Sequence, residues 1–160
     1  SGPHKPLTRP RQLGFSVWLT DQDMFMHMTN SRYLSFSDLG RVDIAMRTKL
    51  SRALKRNGWR TVICGQGMTI NRMLKAPKSF QLETQICGWD EHYLAISQSF
   101  LRGGKNHASV NTLLKVHDKS GNLIAPQLLI DLVEPGLSSP ALPGRLNQLI
   151  EQTDSAASNT

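Results

Sequence analysis

Apolar and polar residues alternate along several short stretches of the chain, a pattern typical of strands with one buried face. The first stretch covers residues 13–19. Phe15, Val17 and Leu19 fall on one face of this stretch. Further alternating stretches lie between residues 61 and 116, and turn residues such as Gly103 and Gly104 separate them. The pattern predicts one early strand and, later in the chain, four antiparallel strands joined by short turns.

A different period separates the first strand from the others. Over residues 31–46 the apolar residues recur at spacings of three and four, which predicts a long helix. The predicted apolar stripe consists of Phe36, Leu39, Val42 and Met46. Asn30 or Ser31 would cap the start of this helix, and Gly40 would let it approach a sheet closely.

Shorter helices are predicted elsewhere. Residues 49–57 form a basic helical stretch that Gly58 would end. A short helix is expected after Pro126, and another over residues 145–152. Residues 154–160 are polar and are expected to be disordered. The predicted organisation is a flexible arm at residues 1–10, one domain at residues 11–136, and an extension at residues 137–160 that holds the last short helix and the tail.

One long helix and one antiparallel sheet make an α+β fold. Gly65 and Gly67 fall on one face of the second predicted strand, where bare backbone would admit a helix at close range. An isolated sheet leaves its edge strands unpaired, and such edges need covering. A second copy of the chain is one way to cover them.

Composition changes this interpretation only in part. A chain of 160 residues suits one domain, and it has no apolar run of the length that spans a membrane. No secretory leader is visible, so the cytoplasm is the expected compartment. Cys64 and Cys87 have no metal-ligand spacing and are expected to be reduced.

The formal net charge of +7 attracts anions in general. Much of the positive charge lies in surface-like runs, namely Arg9 and Arg11, Arg47 to Arg60, and Lys75 with Lys78. A solvated basic face explains these runs, and a site for coenzyme A phosphates is the alternative. No recognition helix or RNA-binding motif accompanies the charge, so nucleic acid is not the expected partner.

The chemically able side chains crowd together just before the long helix. Asp21, Asp23 and His27 precede Asn30 within ten residues. A helix start offers free backbone N–H groups, and a carboxylate beside such donors suits acyl transfer. Capping alone would explain most of these residues equally well. The histidines lack metal-ligand spacing and no G-x-S-x-G motif is present, so a metal site or a serine hydrolase is not expected.

The order of these residues adds a resemblance. The run Asp21-x-Asp23-x-x-x-His27-x-x-Asn30-x-x-Tyr33-Leu34, followed by Asp38 and Arg41, resembles the signature of hotdog-fold acyl-CoA thioesterases of the 4-hydroxybenzoyl-CoA thioesterase type. The predicted strand order agrees with that family from about Leu13 to Glu134. Met26 stands where the family has Gly, and Thr29 stands where it has Asn.

The resemblance implies a hotdog fold, in which a curved five-stranded antiparallel sheet wraps around one long central helix. It also implies thioester hydrolysis without a cofactor, coenzyme A being part of the substrate, in a homodimer or a dimer of dimers. The implied catalytic residues are Asp23, as nucleophile or general base, with His27 and Asn30. The candidate substrate-binding residues are Met26, Met28, Thr29, Tyr33 and Arg72.

Two other functions stay open at this stage. In the first, the protein is a non-catalytic hotdog protein that binds an acyl thioester or another apolar ligand, because the side chain of Met26 blocks the close backbone approach that Gly allows. In the second, the protein is a basic domain that binds nucleic acid or serves as a scaffold. Release of free thiol from acyl-CoA distinguishes the enzyme from both.

Overall fold

The computed structural model of the chain describes residues 7–17, 28–72, 74 and 78–159. The elements in chain order are β1 (Arg11–Val17), α1 (Asn30–Arg47), α2 (Leu50–Asn57), β2 (Arg60–Ile70), β3 (Lys78–Trp89), β4 (Leu94–Arg102), β5 (Lys105–His117), β6 (Leu123–Ile124), α3 (Pro126–Val133) and α4 (Gly144–Ser158). No helix among these described residues is long and apolar enough to cross a membrane.

The strands form one antiparallel sheet in the order β1-β3-β4-β5-β2, and β6 adds a two-residue pairing to β5. Gly103 and Gly104 make the β4–β5 turn with φ values of 56° and 75°, a backbone conformation that glycine adopts without strain. The sheet is curved and carries α1 against it, so the α+β hotdog fold is confirmed. The sixth, very short strand is the difference from the predicted sheet.

The start of α1 differs from the sequence prediction. Thr29, and not Asn30 or Ser31, is the N-cap, because its extended backbone lets Oγ1 accept a hydrogen bond from the Arg32 N–H at 3.3 Å. Asn30 is the first helical residue, and its side chain is exposed.

The predicted apolar stripe of α1 is wrong beyond Phe36. Leu39, Val42 and Met46 are 51%, 57% and 66% exposed. The face that packs on the sheet consists of Tyr33, Phe36, Ser37, Gly40, Arg41 and Ile44. Hydrophobicity alone missed this face because two of its positions are polar residues that find hydrogen-bond partners inside. Gly40 lies as close to the sheet as expected, since a Cβ there would be 2.7 Å from Gln98 Nε2 and from Leu82 Cδ2.

The apolar interior consists of separate clusters. One lies under the first turns of α1 and includes Tyr33, Phe36, Phe80, Leu82 and Phe100. Another lies under the end of α1, α2 and α3 and includes Ile44, Leu50, Ile86, Ile96 and Leu129. Gly58 ends α2 in the left-handed conformation, as predicted.

The N-terminal arm is not loose throughout. Leu7 is buried in the same cluster as Leu50, and its N–H donates to Glu134 Oε2 at 3.3 Å. The arm prediction therefore fails at residue 7, because one leucine finds an apolar site beside α3. Residues 1–6 lie outside the described residues.

The C-terminal prediction is also wrong in extent. Helix α4 continues through Asp154 to Ser158 instead of ending near residue 152. Leu146, on the apolar side of α4, packs on the sheet against Cys87, Tyr93 and Leu113. These residues form a third cluster. The helix close to Gly65 is thus α4. A Cβ added to Gly65 would be 2.3 Å from Oγ1 of Thr153, a residue of α4.

Candidate functional site

The predicted catalytic carboxylate falls in the segment between β1 and α1. Asp21, Asp23, Met26 and His27 all lie outside the described residues, which end at Val17 and resume at Met28. Their roles stay predictions. The described geometry therefore concerns the frame into which this segment must fit.

Leu74 fixes the point where that segment enters α1. The Met28 N–H donates to the Leu74 carbonyl at 2.9 Å, and the Leu74 N–H donates to the Tyr33 hydroxyl at 3.0 Å. Met28, Leu74 and Tyr33 are all at most 1% exposed. Both backbone groups of Leu74 are thereby used to hold the first turn of α1 in place.

The first turn of α1 presents backbone donors. Among the described residues, the N–H groups of Asn30 and Ser31 have no hydrogen-bond acceptor, whereas the cap satisfies the N–H of Arg32. Together with the partial positive charge of a helix start, these donors favour a negatively charged oxygen. Thr29 lies beside them, and its hydroxyl is 3.2 Å from the hydroxyl of Ser31.

Aromatic rings pack together beneath this turn. The Tyr33 and Phe100 rings lie edge to face with their centroids 5.1 Å apart, and Phe36 packs at 4.8 Å from Phe15 and 5.2 Å from Phe80. Burial raises the pKa of Tyr33, against the smaller opposing effect of the Leu74 hydrogen bond. Met28 and Tyr33 thus belong to the core, and their roles in substrate binding stay predictions.

Arg72 lies near this frame but outside the core. Its side chain is exposed, and its N–H donates to the His107 carbonyl at 3.0 Å. The residue comes two positions before Leu74, so it is held close to the start of α1 by the chain itself. An exposed cation at this place is available to an anionic ligand.

A buried polar layer crosses the middle of α1. Arg41 donates to Ser37 Oγ at 2.7 Å and to Asp38, and the Ser37 hydroxyl donates to Gln98 Oε1. Gln98 Nε2 donates to the Ser37 carbonyl at 2.9 Å and to Thr84 Oγ1 at 3.0 Å. Burial lowers the pKa of Arg41, while the Asp38 carboxylate opposes this effect. Asp38 is thus the ion-pair partner of Arg41, three residues on along α1.

An apolar cavity of about 340 Å³ opens beside that layer. Asp38, Arg41 and Thr61 supply its polar groups, and the rest of its wall is aliphatic. The aliphatic side chains include Ile44, Leu54, Ile86, Ile96, Leu114 and Leu129. A cavity of this size and lining suits a hydrocarbon group.

Other parts of the described surface offer less to such chemistry. A larger open groove lies between β1, β3 and the β4–β5 turn, and its wall is mixed in polarity. The described residues contain no group of three or more potential metal ligands. Cys64 and Cys87 are free thiols.

Sequence reasoning missed two residues that organise this region. Gln98 is a polar residue in the alternating run Leu94, Ile96, Gln98, Phe100 of β4, and that exception was a usable signal for a buried hydrogen-bond centre. Leu74 gave no such signal, because its contribution comes from its backbone groups.

The chain is similar in sequence to known proteins. A family model described as the thioesterase-like superfamily matches residues 17–134. The protein THEM6 of Xenopus laevis is 26% identical over 138 residues, which is 86% of this chain and 65% of that protein. The chain thus spans about two-thirds of the length of that relative.

Solved structures agree in fold. The probable thioesterase YbaW of Escherichia coli superposes with a TM-score of 0.72 at 16% identity, covering 78% of this chain and 96% of that one. A DHNA-CoA thioesterase of Staphylococcus aureus superposes with a TM-score of 0.64 at 10% identity, covering 94% of both chains. At such low identity these structures support the fold alone. With the family match over most of its length, the chain belongs to the thioesterase-like superfamily.

Proposed function

We propose that this protein is an acyl-CoA thioesterase of the 4-hydroxybenzoyl-CoA thioesterase type. The observation that carries the proposal is the anchored start of α1, where N–H groups without an acceptor among the described residues follow directly on the segment that holds Asp23 and His27. Membership of the thioesterase-like superfamily supports the reaction class. The identity of the catalytic carboxylate rests on the sequence motif.

Asp23 acts on the thioester carbonyl carbon in one of two ways. As a nucleophile it forms an acyl-aspartyl anhydride and releases coenzyme A thiolate, and water then hydrolyses the anhydride to the free acid. As a general base it removes a proton from water, and the resulting hydroxide attacks the carbonyl while the thiolate leaves. Neither route requires a metal or a redox cofactor.

The carbonyl oxygen becomes negatively charged during the attack, and the start of α1 stabilises that charge. The N–H groups of Asn30 and Ser31 lie on this turn, and Leu74 holds the turn rigidly through Met28 and Tyr33. Preorganised donors of this kind typically contribute about 3 kcal/mol to transition-state stabilisation. We assign His27 and the side chain of Asn30 to orientation of the thioester.

The two ends of the substrate require different surroundings. Arg72 is the exposed cation near the start of α1 and is assigned to a coenzyme A phosphate, while Met26, Met28 and Thr29 would border the thioester. The aliphatic cavity beside Arg41 is assigned to the acyl chain. Its lining favours an aliphatic group over a hydroxylated aromatic one, since it holds few polar groups to pair with hydroxyls.

A homodimer is part of the proposal. Leu39, Val42 and Met46 form an exposed apolar stripe on α1, and β2 is an edge strand with Val62 and Ile63 39% and 46% exposed. A second copy that covers this edge would also cover the stripe. Free thiols in both cysteines are consistent with a cytoplasmic location, which stays a prediction.

The same cavity favours a second candidate, a non-catalytic protein that binds an acyl thioester or another apolar ligand. The decisive experiment is thiol release from a panel of aliphatic and aromatic acyl-CoAs at equal concentration. Turnover of aliphatic members supports the enzyme. Saturable binding of an acyl-CoA without thiol release supports the second candidate.

A further inference from the structure

The exposed side of α2 carries a dense set of cations. Lys49 precedes the helix, and Arg52, Lys55 and Arg56 project from its outer side, whereas Leu50 and Ala53 are buried beneath it. Within the described residues, none of these four cations lies within ion-pairing distance of a carboxylate. Their positive charge is therefore directed at solvent.

The neighbouring helix α3 adds exposed apolar side chains to the same side. Leu128 and Leu132 are 53% and 51% exposed and lie four residues apart, so they project from one face of α3. Leu132 and Val133 line a cleft of about 310 Å³ together with Lys49, Arg52 and Arg56. Cations and the exposed Leu132 thus border one cleft between the two helices, and Leu128 projects from the same face of α3.

The acidic groups of this region are engaged elsewhere. Asp131 Oδ1 accepts hydrogen bonds from Gln127 Nε2 at 3.0 Å and from the Gly136 N–H at 3.2 Å. Glu134 Oε2 accepts from the Leu7 N–H at 3.3 Å. These hydrogen bonds hold the carboxylate oxygens toward neutral donors rather than toward the cations of α2.

From this juxtaposition we propose that the α2–α3 face, defined by Lys49, Arg52, Lys55, Arg56, Leu128 and Leu132, docks on the surface of an anionic lipid bilayer. The cations contact lipid phosphates, and the leucines enter the boundary between headgroups and acyl chains. The residues of this face lie outside the aliphatic cavity that is assigned to the acyl chain.

The mixture of residues favours lipid over the other anionic partners. Nucleic acid binds cations through its phosphates and aromatic rings through its bases, but two exposed leucines form no favourable contact with phosphates. A bilayer surface binds both the cations and the leucines, since electrostatic attraction and the burial of apolar area both contribute to interfacial binding. The cleft also gives one headgroup a place between the two helices.

The test is sedimentation of the full chain with vesicles of phosphatidylcholine alone or with about 30% phosphatidylserine, an anionic lipid of the kind that attracts basic segments. The double variant Arg52→Gln/Arg56→Gln should weaken partitioning onto the anionic vesicles by at least about tenfold, given the usual contribution of each surface cation. Its matched control is Arg102→Gln/Lys105→Gln, which removes the same charge at the distant β4–β5 turn and should weaken partitioning by less than about threefold.

A second pair of variants tests the leucines. Leu128→Ser/Leu132→Ser leaves the charge unchanged and should weaken partitioning by about tenfold, since it removes the apolar contribution. The substituted side chains are exposed except that of Arg102, which is half-buried, and circular dichroism checks that each variant is folded. Unchanged partitioning of the leucine variant onto anionic vesicles overturns the proposal. So does a control variant whose partitioning weakens as much as that of the α2 variant. Tight binding to a DNA duplex with no binding to anionic vesicles overturns it in favour of nucleic acid.

Discussion

The hydroxyl of Tyr33 accepts a hydrogen bond from the N–H of Leu74 at 3.0 Å, and both groups are buried. This contact joins the first turn of α1 to the chain that leads into β3. Replacement of Tyr33 by Phe keeps the ring against Phe100 but leaves the Leu74 N–H without its acceptor. We expect Tyr33→Phe to lower the free energy of unfolding by about 1–3 kcal/mol, the usual cost of an unsatisfied buried group.

Urea denaturation measures this change. Ser35→Ala is the matched control, because it also removes one hydroxyl from α1, and that hydroxyl makes an exposed hydrogen bond to the Ser31 carbonyl. The control should change stability by less than about 0.5 kcal/mol. Equal effects of the two substitutions would contradict the anchoring role of Tyr33.

The catalytic proposal predicts a large effect at Asp23. Asp23→Asn preserves size but removes the charge and basicity, so thiol release should fall at least about a hundredfold. Asp21→Asn is the control and should cost much less. A larger loss at Asp21 than at Asp23 would show that the motif is misread by two positions.

Met26 gives a related prediction. If the parent protein binds acyl-CoA but releases no thiol, Met26→Gly should restore turnover, because it removes a side chain where the family has bare backbone. Parallel binding and thiol-release measurements follow both properties. A variant that binds and still releases no thiol would leave the blocking role of Met26 without support.

Gly40 should not tolerate a side chain. A Cβ at this position would lie 2.7 Å from Gln98 Nε2 and 2.8 Å from Thr84 Oγ1, so Gly40→Ala should lower stability by about 1–3 kcal/mol despite the better helix propensity of alanine. Gly144→Ala on α4 is the control, since nothing lies within 4 Å of its Cβ position. Thermal unfolding of both variants checks the contrast, and a stabilised Gly40→Ala would contradict the close approach.

Helix α4 should shield one thiol. Burial raises the pKa of Cys87, and Leu146 of α4 packs in the same cluster. Leu146→Ala should lower stability by about 2–5 kcal/mol and increase the rate at which Cys87 reacts with a thiol reagent. Cys64→Ser isolates the Cys87 signal. An unchanged reaction rate in the destabilised variant would show that α4 does not control access.

The homodimer predicts a defined interface. Val42 is 57% exposed in the middle of the α1 stripe, so Val42→Glu should convert a dimer to a monomer at micromolar concentration. Leu123→Glu introduces the same charge at an exposed leucine of β6 and should leave the assembly unchanged. Sedimentation velocity distinguishes the two, and a monomeric parent protein would remove the shared interface from the proposal.

The fold was largely predictable from sequence because alternation in the strands and the turn at Gly103 and Gly104 are local signals. The buried face of α1 was not, since Ser37 and Arg41 become interior residues only when Gln98 arrives from a strand 57 to 61 residues away. The extent of α4 was missed for a similar reason. Its polar end is ordered by a distant partner, the Tyr93 hydroxyl, which donates to Asp154 at 2.6 Å.

The polar layer around Arg41 and Gln98 has a consequence for how this chain can vary. The layer lies between the aromatic cluster under the first turns of α1 and the largely aliphatic cluster under the end of α1. The two clusters therefore pack separately. Size changes at Ile96 and at Phe36, for example, should add in their effects on stability, as they do for sites without shared contacts. Mutational drift can therefore reshape the aliphatic end for new ligands while the turn that carries the backbone donors keeps its form.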